Sequence, residues 1–430
     1  MPHYSLPAAP IELPADTAIV VGFSGGLDST VLLHALAADA HFRARGLRAV
    51  HVDHGLHADS AHWAAACEAV CRELQVPFRA LQVDVAVASG HGPEAAARHA
   101  RHAALASVLA PGEVVALAHH RDDQAETFLL RALRASGPDG LAAMRPWRRF
   151  GHAWLWRPLL DAPRAQLLAY AQQHALRWID DPSNTDTAFD RNFLRQRVLP
   201  LLRERWPQAE AAFAQSATLC AEASALLETG DAQALAAVAT ADPHCLSRVA
   251  VAALPAPRRA RVLRRWIAAL GLPALPANGI TRIESEVLPA RADADAAFAW
   301  HGAAVRSWRE LLHADVSRPP LPSDWRAVWN AAAPLPLPGG GELHLEGARF
   351  DDVLVVHARQ GGERITLPGR AHSHALKHVL QDLGVPPWQR ERLPLLSDAS
   401  GTLLAAGDLV HSAAFDAWLR ARGARLCWND

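Results

Sequence analysis

The strongest constraint on the fold is the alternation of short apolar segments with helical segments in the first 135 residues. Segments rich in Val, Ile and Ala predict four strands, at 18–23, 47–55, 78–85 and 113–120. Helical patterns follow the strands, at 30–39, 59–75, 93–109 and 122–134. Strands that alternate with helices form a parallel sheet covered on both faces. The sequence therefore predicts an α/β, Rossmann-like N-terminal domain.

The rest of the chain predicts two further domains. Residues 201–315 are rich in Ala and Leu and predict an all-helical region, and the last part predicts a small α+β domain. Pro/Gly-rich segments at 318–325 and 334–341 predict the boundary between them. A chain of 430 residues exceeds one hydrophobic core, which stops growing near about 250–300 residues. The predicted domains are 1–212, 213–330 and 331–430.

Charge and cysteine content narrow the class of protein. The net charge is −1, so a nucleic-acid surface has to be local. Five cysteines without a C-x-x-C spacing disfavour a disulfide framework. The first residues lack a charged start followed by an apolar run, and no apolar run of about 18 residues occurs, so we expect neither a signal peptide nor a membrane span. The expected location is the cytoplasm.

A loop of glycine, serine and aspartate follows the first predicted strand. It comprises Ser24, Gly25, Gly26, Leu27, Asp28 and Ser29. The glycines permit tight turns and close approach of a ligand, and free N–H groups at the start of the next helix attract anions such as phosphate. Asp28 would repel a bare phosphate, so its presence predicts a bridging Mg²⁺ ion.

Three other loop motifs offer alternative interpretations. The Walker loop and the dinucleotide fingerprint G-x-G-x-x-G are absent, and the chain has a single lysine, Lys377, far along the sequence. The stretch 22–26 does match G-x-S-x-G, the nucleophile elbow of α/β-hydrolases, with Ser24 as nucleophile. This alternative leaves Asp28 and Ser29 unexplained and provides no upstream loop for an oxyanion hole. A phosphate-binding loop is therefore the favoured interpretation.

Polar residues also follow the second and fourth predicted strands. Ligands of such sheets bind beyond the carboxyl ends of the strands. The candidates at these ends are His51, Asp53, His54, His119, Asp122, Asp123 and Glu126. Asp123 and Glu126 are three residues apart and would share a helical face, although acids also favour a helix start for its dipole alone. His51, His54 and His57 recur every third residue, but no cysteine partner lies near, so nucleotide contact is favoured over a zinc site.

The loop resembles the SGGxDS pyrophosphatase loop of ATP-dependent adenylating enzymes, which cleave ATP between its α and β phosphates. Further motifs resemble the tRNA(Ile)-lysidine synthase family over most of the chain. They lie at 51–56, 94–101, 119–127, 134–144, 157–160, 180–184, 191–202 and 359–390. His57 and His102 depart from the family, which often has arginine and tyrosine there. These departures concern individual contacts and not the class of reaction.

The resemblance implies a two-step reaction. ATP adenylates the C2 oxygen of the wobble cytidine in the CAU anticodon of tRNA(Ile), and the ε-amine of free lysine then displaces AMP to form lysidine. A cationic lysine must be held and deprotonated, which requires carboxylates. ATP binding is implied for the 24–29 loop with His51 and Asp53, and Mg²⁺ binding for Asp28. The other implied residues are Asp122, Asp123 and Glu126 for lysine, Arg98 and Arg101 for the phosphates or the tRNA backbone, and His54, His119, Asn192 and Arg195 as further site candidates.

Basic segments give candidate tRNA surfaces. Residues 131–164 contain seven arginines against two aspartates, with three interleaved tryptophans. Residues 191–205 contain five arginines against one glutamate, and five more arginines crowd 258–265. Local basic zones on a nearly neutral chain suit one structured RNA, and aromatic and guanidinium planes suit splayed loop bases. For the tryptophans, packing in the core is the favoured alternative.

Other functions are alternatives to this interpretation. A tRNA thiolation enzyme with the same loop needs C-x-x-C pairs or catalytic cysteines near the site, and an amidotransferase-type synthetase needs a glutaminase nucleophile. Neither pattern is present. A non-catalytic ATP-responsive RNA-binding protein would predict a degraded loop, whereas this loop is intact. A hydrolase that uses Ser24 is the most distant alternative. The oligomeric state is open, with a homodimer as one option.

Overall fold

The computed structural model describes residues 17–55, 60–83, 93–182, 186–276, 278–291 and 296–429. His57 and residues 183–184 lie outside these ranges. The chain divides into two compact units, Met1–Thr229 and Gly230–Asp430. Among the described helices, none combines the length and apolar character needed to cross a membrane. The finer division into three domains stays a prediction.

The first unit is built on a six-stranded sheet. Its strands are β1 Ile19–Gly22, β2 Arg48–Asp53, β3 Phe78–Gln82, β4 Val114–Ala116, β5 Trp147–Phe150 and β6 Ala153–Trp156. Their order across the sheet is β3-β2-β1-β4-β6-β5. All neighbouring strands are parallel except β5 and β6. The predicted Rossmann-like fold is confirmed, and the four predicted strands correspond to β1–β4.

The β5–β6 hairpin was not predicted from the sequence, and it adds an antiparallel edge to the expected parallel sheet. Its strands read WRRF and AWLW, so they lack the Val- and Ile-rich pattern of buried strands. They join through a tight turn in which Gly151 has φ +61°. Strands of four residues are also too short to show a clear period.

Helices alternate with the strands of this sheet and follow them along the chain. They are α1 Leu27–Ala38, α2 Ala40–Ala44, α3 Ser60–Glu73, α4 Pro93–Ser107, α5 Arg121–Ala132, α6 Pro138–Leu141, α7 Arg164–Gln173, α8 Asp190–Phe193, α9 Leu199–Arg205 and α10 Ala209–Val238, which continues past Thr229. Helices α1, α3 and α7 pack on one face of the sheet, and α4 packs on the other. Successive β1 residues point to opposite faces. Ile19 and Val21 join a core with α1, α3 and α7, whereas Val20 packs with Leu105 of α4. Burial on both faces explains the continuous apolar run of β1.

The second unit begins with an antiparallel sheet of four strands. They are β7 Cys245–Ser247, β8 Ala296–Trp300, β9 Ala303–Trp308 and β10 Leu311–Val316, in the order β7-β10-β9-β8. The sheet packs with α11 Arg248–Ala253, α12 Ala256–Ala269 and α13 Gly279–Arg282. The prediction that 201–315 is helical throughout is therefore wrong for these strands. Strands β8 and β9 read AAFAW and AAVRSW, so they begin with alanines that favour a helix, and strand pairing overrides that propensity.

The remaining part is α+β, as predicted. Its strands are β11 Arg326–Trp329, β12 Leu335–Pro336, β13 Glu342–Glu346, β14 Leu354–His357, β15 Arg364–Ile365, β16 His374–Ala375, β17 Leu395–Ser397, β18 Leu403–Ala406, β19 Val410–His411 and β20 Arg425–Asn429. Its helices are α14 Leu376–Asp382, α15 Pro387–Arg390 and α16 Ala413–Arg422. The main sheet has the order β11-β14-β17-β18-β19. The single lysine, Lys377, lies exposed on α14.

Candidate active site

The loop 24–29 joins the end of β1 to the start of α1. Gly25 has φ +81°, and a Cβ atom there would lie 2.7 Å from Ile179 Cδ1 and 2.8 Å from Cys67 Sγ, so only glycine fits. The Ser24 and Ser29 hydroxyls are 3.0 Å apart. Because α1 starts without a side-chain cap, its first N–H groups are available for an anion.

A cavity of about 260 Å³ adjoins this loop. Its polar lining comprises Ser24, Asp28, Ser29, Arg98, Arg101, His102 and His119. Among the described residues that line it, Asp28 is the only acid. Burial and the neighbouring arginines lower the pKa of His102 to about 4. His102 is therefore neutral at neutral pH, and the positive charge of the lining comes from Arg98 and Arg101. Two guanidinium groups against one carboxylate suit an anionic ligand such as a phosphate chain.

His120 connects the loop to the start of α5. Its Nε2 lies 3.6 Å from Asp28 Oδ2 and 3.4 Å from Asp123 Oδ2. His120 also caps α5, because its Nδ1 accepts a hydrogen bond from Asp123 N at 3.4 Å and its own N–H donates to Asp123 Oδ2 at 3.0 Å. Burial acts to lower the pKa of His120, but the two carboxylates outweigh it and hold that pKa above its ordinary value. The network joins two of the predicted site acids.

Asp28 has one engaged and one free carboxylate oxygen. Burial acts to raise its pKa, but the hydrogen bond and charge of His120 outweigh burial, and the pKa is lowered overall. Asp28 is therefore an anion at neutral pH. Its Oδ1 is buried and has no hydrogen-bond partner among the described residues.

Arg195 brings Asp123 and Glu126 together. It lies in a π-helical turn, Leu194–Val198. Its Nε donates to Glu126 Oε1 at 2.8 Å, and its Nη2 donates to Glu126 Oε2 at 3.1 Å and to Asp123 Oδ1 at 3.2 Å. Glu126 is 0% exposed, and burial raises its pKa although Arg195 acts in the opposite direction. The expectation that the two acids share a helical face is confirmed.

His51 and Asp53 end β2, but neither lines the cavity. His51 is buried, and its Nδ1 lies 2.9 Å from Phe23 O and 3.6 Å from Cys67 Sγ. The expectation that no cysteine lies near is therefore wrong for His51, because α3 packs on the sheet with Cys67 beside this ring. Asp53 accepts a hydrogen bond from Gly55 N at 2.9 Å. His51 therefore contacts the backbone just before the loop, whereas Asp53 contacts the backbone that follows β2.

Asp123, Glu126 and Arg195 also lie outside the cavity lining, and so do His54, Asp122 and Asn192. The last three are held by other contacts. Each makes a hydrogen bond within its own surroundings. The bonds run from Arg101 Nε to His54 Nε2 at 3.2 Å, from Arg164 N to Asp122 Oδ1 at 3.2 Å, and from Asn192 Nδ2 to Asp186 O at 2.8 Å. Thus the structure gathers Asp28, Asp123 and Glu126 with Arg195, and leaves Asn192 outside that network.

Two site residues were not predicted from the sequence, Arg157 and His120. Arg157 is a buried cation. Arg157 is 3% exposed, and its Nε donates to His119 Nδ1 at 3.3 Å. Burial lowers the pKa of Arg157 to about 9 and that of His119 to about 3. The signals in the sequence are the paired histidines at the end of β4 and the Arg-Pro-Leu-Leu motif that follows β6.

Three segments of the chain match known protein families. Residues 7–202 match the PP-loop domain, a nucleotide-binding family. This segment contains the loop and the cavity described above. Residues 246–313 match the TilS substrate binding domain, and residues 354–428 match the TilS substrate C-terminal domain.

Curated relatives align along nearly the whole chain. The tRNA(Ile)-lysidine synthase of Xanthomonas axonopodis pv. citri (strain 306) is 57% identical over 414 residues, which cover 96% of this chain and 94% of the relative. That of Xanthomonas campestris pv. campestris (strain 8004) is 55% identical over 428 residues, covering 99% and 97%. That of Xylella fastidiosa (strain 9a5c) is 51% identical over 418 residues, covering 96% and 95%. With identities of this size along nearly all of each chain, the protein belongs to the tRNA(Ile)-lysidine synthase family.

Proposed function

We propose that this protein ligates free lysine to C2 of the wobble cytidine in the CAU anticodon of tRNA(Ile). ATP activates the C2 oxygen as an adenylate with release of pyrophosphate, and the lysine ε-amine then displaces AMP. The observation that carries the proposal is the meeting of the glycine-rich loop with Asp28, His120 and Asp123 where β1 lies between β2 and β4. Family membership supports the same reaction, and a tRNA-modifying role suits the cytoplasm.

The PP-loop match supports the use of ATP. In the proposed arrangement the free N–H groups of α1 and the Ser24 hydroxyl contact the phosphates. Arg98 and Arg101 line the same cavity and supply positive charge to the phosphate chain. Neither His51 nor Asp53 lines the cavity. His51 is proposed to act through the backbone of Phe23, next to the loop, and Asp53 through the backbone of Gly55 after β2.

Asp28 fits a Mg²⁺ ion. Its Oδ1 is buried without a hydrogen-bond partner among the described residues, while its Oδ2 lies beside His120. A carboxylate oxygen next to a phosphate site is the hard ligand that Mg²⁺ prefers. Neutralisation of phosphate charge is the chemistry that a bound Mg²⁺ supplies.

The acids of α5 are the proposed ligands of the lysine amines. Asp122 and Asp123 have side chains 19% and 14% exposed, whereas Glu126 is fully buried. Arg195 donates one hydrogen bond to each Glu126 oxygen, so an ammonium group that binds Glu126 either shares this carboxylate with Arg195 or displaces it. A carboxylate that holds the ammonium can also accept its proton before the amine attacks. The raised pKa of Glu126 favours that transfer.

The β5–β6 hairpin is the proposed contact for tRNA. Arg148 and Arg149 are exposed on it, and the Arg149 guanidinium lies 4.0 Å from the Trp154 ring centre. Two arginines in the basic segment 131–164 face inward: Arg131 donates to backbone carbonyls, and Arg157 is buried. The exposed basic charge is therefore smaller than the sequence count. Arg134, Arg145 and Arg164 are also exposed, and Arg148 and Arg149 are adjacent on the hairpin.

The arginines at 258–265 are a weaker candidate for RNA binding. Arg258 and Arg261 pair with the buried Asp231, and Arg259 pairs with Glu284. These ion pairs join α12 to neighbouring segments, so at least three of the five arginines serve the fold. We therefore do not include this segment in the proposed tRNA surface.

The thiolation alternative is disfavoured by the two cysteines of α3. Burial raises the pKa of Cys67 and of Cys71 to about 12. Both are therefore protonated at neutral pH, whereas a thiol that carries sulfur chemistry needs a lowered pKa and access to the substrate.

The test is incorporation of radiolabelled lysine into a CAU-anticodon tRNA(Ile) transcript with and without ATP. We expect ATP-dependent labelling by the wild type and a loss of at least about 100-fold in Asp28→Ala, the usual scale for removing electrostatic stabilisation. Asp352→Ala, at an exposed position, is the matched control. ATP–pyrophosphate exchange with a different tRNA and no lysine labelling would preserve the adenylating site and contradict the lysidine assignment.

A further inference from the structure

The buried guanidinium of Arg157 lies against one nitrogen of His119. Its Nε donates to His119 Nδ1 at 3.3 Å, and its Nη1 donates to Arg145 O at 2.7 Å. Arg157 is 3% exposed, and no carboxylate of the described residues pairs with it. A buried cation without an acidic partner is costly, so its position needs a reason beyond packing.

This hydrogen bond determines where the imidazole proton lies. Arginine nitrogens only donate, so His119 Nδ1 must accept. A neutral imidazole carries its single proton on the other nitrogen, which is Nε2. Burial lowers the pKa of His119 to about 3, so the ring is neutral at physiological pH. His119 lines the cavity, and its Nε2 has no hydrogen-bond partner among the described residues.

We propose that Arg157 is a positioning residue that fixes the Nε2–H tautomer of His119, and that this N–H donates to a phosphate oxygen of the nucleotide in the cavity. The proposal rests on the ATP-dependent reaction inferred above. Arg157 acts through His119 and also adds positive potential to a lining with only one acid, Asp28.

The fixed tautomer has a chemical consequence. An imidazole free to exchange tautomers would at times direct its Nε2 lone pair toward the phosphate, where it repels the anion. A donor that is already oriented needs no rearrangement as negative charge develops on the leaving pyrophosphate. This preorganisation makes such donors effective in catalysis. Loss of Arg157 should therefore reduce kcat for adenylate formation more than it raises KM for ATP.

The first arm of the experiment uses amide side chains that mimic one imidazole nitrogen each. A glutamine amide reaches the place of Nε2, and an asparagine amide reaches that of Nδ1. Measured by tRNA-dependent ATP–pyrophosphate exchange, His119→Gln should keep activity within about tenfold of the wild type, and His119→Asn should lose about 100-fold or more. An equally deep loss in both variants would overturn donation from Nε2.

The second arm is a double-mutant cycle. Arg157→Met should reduce kcat about 10- to 100-fold in the wild-type background, and by less than about threefold in the His119→Gln background, because an amide donor needs no tautomer partner. A purely structural role for Arg157 would give the same loss in both backgrounds and would overturn the proposal. Arg157→Lys keeps a buried cation and a donor to Nδ1, so it should stay within about threefold of the wild type in both backgrounds. If circular dichroism shows that Arg157→Met is unfolded, an equally deep loss of Arg157→Lys activity in both backgrounds would overturn the proposal.

The two arms separate this proposal from the proposed function. A wild type that labels tRNA with lysine but shows equal losses in both backgrounds refutes the role of Arg157 alone. A wild type that performs ATP–pyrophosphate exchange but never incorporates lysine refutes the lysidine reaction. The double-mutant cycle can still be measured, because it uses the exchange reaction.

Discussion

Glu126 is a fully buried acid whose two oxygens both contact Arg195. Removing a carboxylate from water is unfavourable, which is why burial raises its pKa. The paired geometry of two N–H donors offsets that cost, and Asp123 shares the same guanidinium. The arrangement leaves Glu126 dependent on one partner, so its charge state should respond strongly when that partner is lost.

Arg195→Ala should lower the free energy of unfolding by about 3 kcal/mol at pH 7, the lower end of the range for a broken buried pair, because the Arg195 side chain is 33% exposed. Without Arg195 the pKa of Glu126 rises further. The deficit should therefore shrink as pH falls and Glu126 takes up a proton. Urea unfolding at several pH values measures this, with Arg205→Ala, exposed on α9, as control. A difference in stability between Arg195→Ala and the wild type that does not change with pH would contradict this role of Glu126.

At the scale of elements, Arg48 and Glu113 link the two strands that flank β1. Arg48 begins β2, and Glu113 precedes β4. The Arg48 guanidinium donates to both Glu113 carboxylate oxygens, at 2.5 Å and 2.7 Å. These hydrogen bonds are the main cause of the lowered pKa of Glu113. The pair lies at the start of the strands, opposite the edge that carries the candidate site.

Glu113→Gln should cost about 1 kcal/mol of stability at pH 7, since the side chains are 31% and 13% exposed and solvent screens the pair. The pKa of Glu113 is lowered in the folded state, so its contribution is fully present above the ordinary value of 4.5 and is lost as pH falls through the folded value. Urea unfolding from pH 7 to pH 3 should show the two proteins converge in acid. Glu73→Gln, exposed at the end of α3, should match the wild type throughout.

The β5–β6 hairpin allows a second prediction at this scale. Changing Arg148 and Arg149 together to alanine should weaken tRNA binding and reduce the slope of log K against log salt by about 2, roughly one for each lost phosphate contact. Filter binding at several salt concentrations measures both quantities. Arg72→Ala, whose side chain is 74% exposed on α3, should leave the slope unchanged. An unchanged slope in the double variant would exclude the hairpin from the RNA surface.

At the scale of the whole molecule, the units Met1–Thr229 and Gly230–Asp430 have separate hydrophobic cores. Separate cores predict departure from two-state unfolding, with more than one transition in calorimetry. ATP with Mg²⁺ should stabilise only the first unit. Its free energy of unfolding should rise by about 2.7 kcal/mol when the ligand is at 100 times its Kd, and its transition temperature should rise accordingly. A single transition that shifts as a whole would contradict this. Phosphate-free adenosine is the control ligand.

The sequence predicted those parts of the molecule that local pattern determines. Strands β1, β2 and β4 lie inside the sheet and are mostly buried, so their apolar runs stand out. Strand β3 is more exposed at the edge of the sheet, and its partial alternation identified it. The 24–29 loop was recognised from its glycines, serines and aspartate. Strand β8 was missed because its alanines favour a helix, and only pairing with β9 determines its conformation. Arg157 was missed as a site residue because an arginine in a sequence suggests the surface. Its burial depends on neighbours that come from distant segments.

Lys377 gives the molecule a practical property. It is the only lysine among 430 residues, and its side chain is exposed on α14. Apart from the α-amino group of the chain, an amine-reactive fluorophore will therefore label one defined side chain without prior mutagenesis. A lysine-specific protease will likewise recognise one position, and the resulting two fragments can be followed by mass. Labelled in this way, the native sequence can report tRNA binding by fluorescence anisotropy while every arginine and acid of the candidate site stays intact.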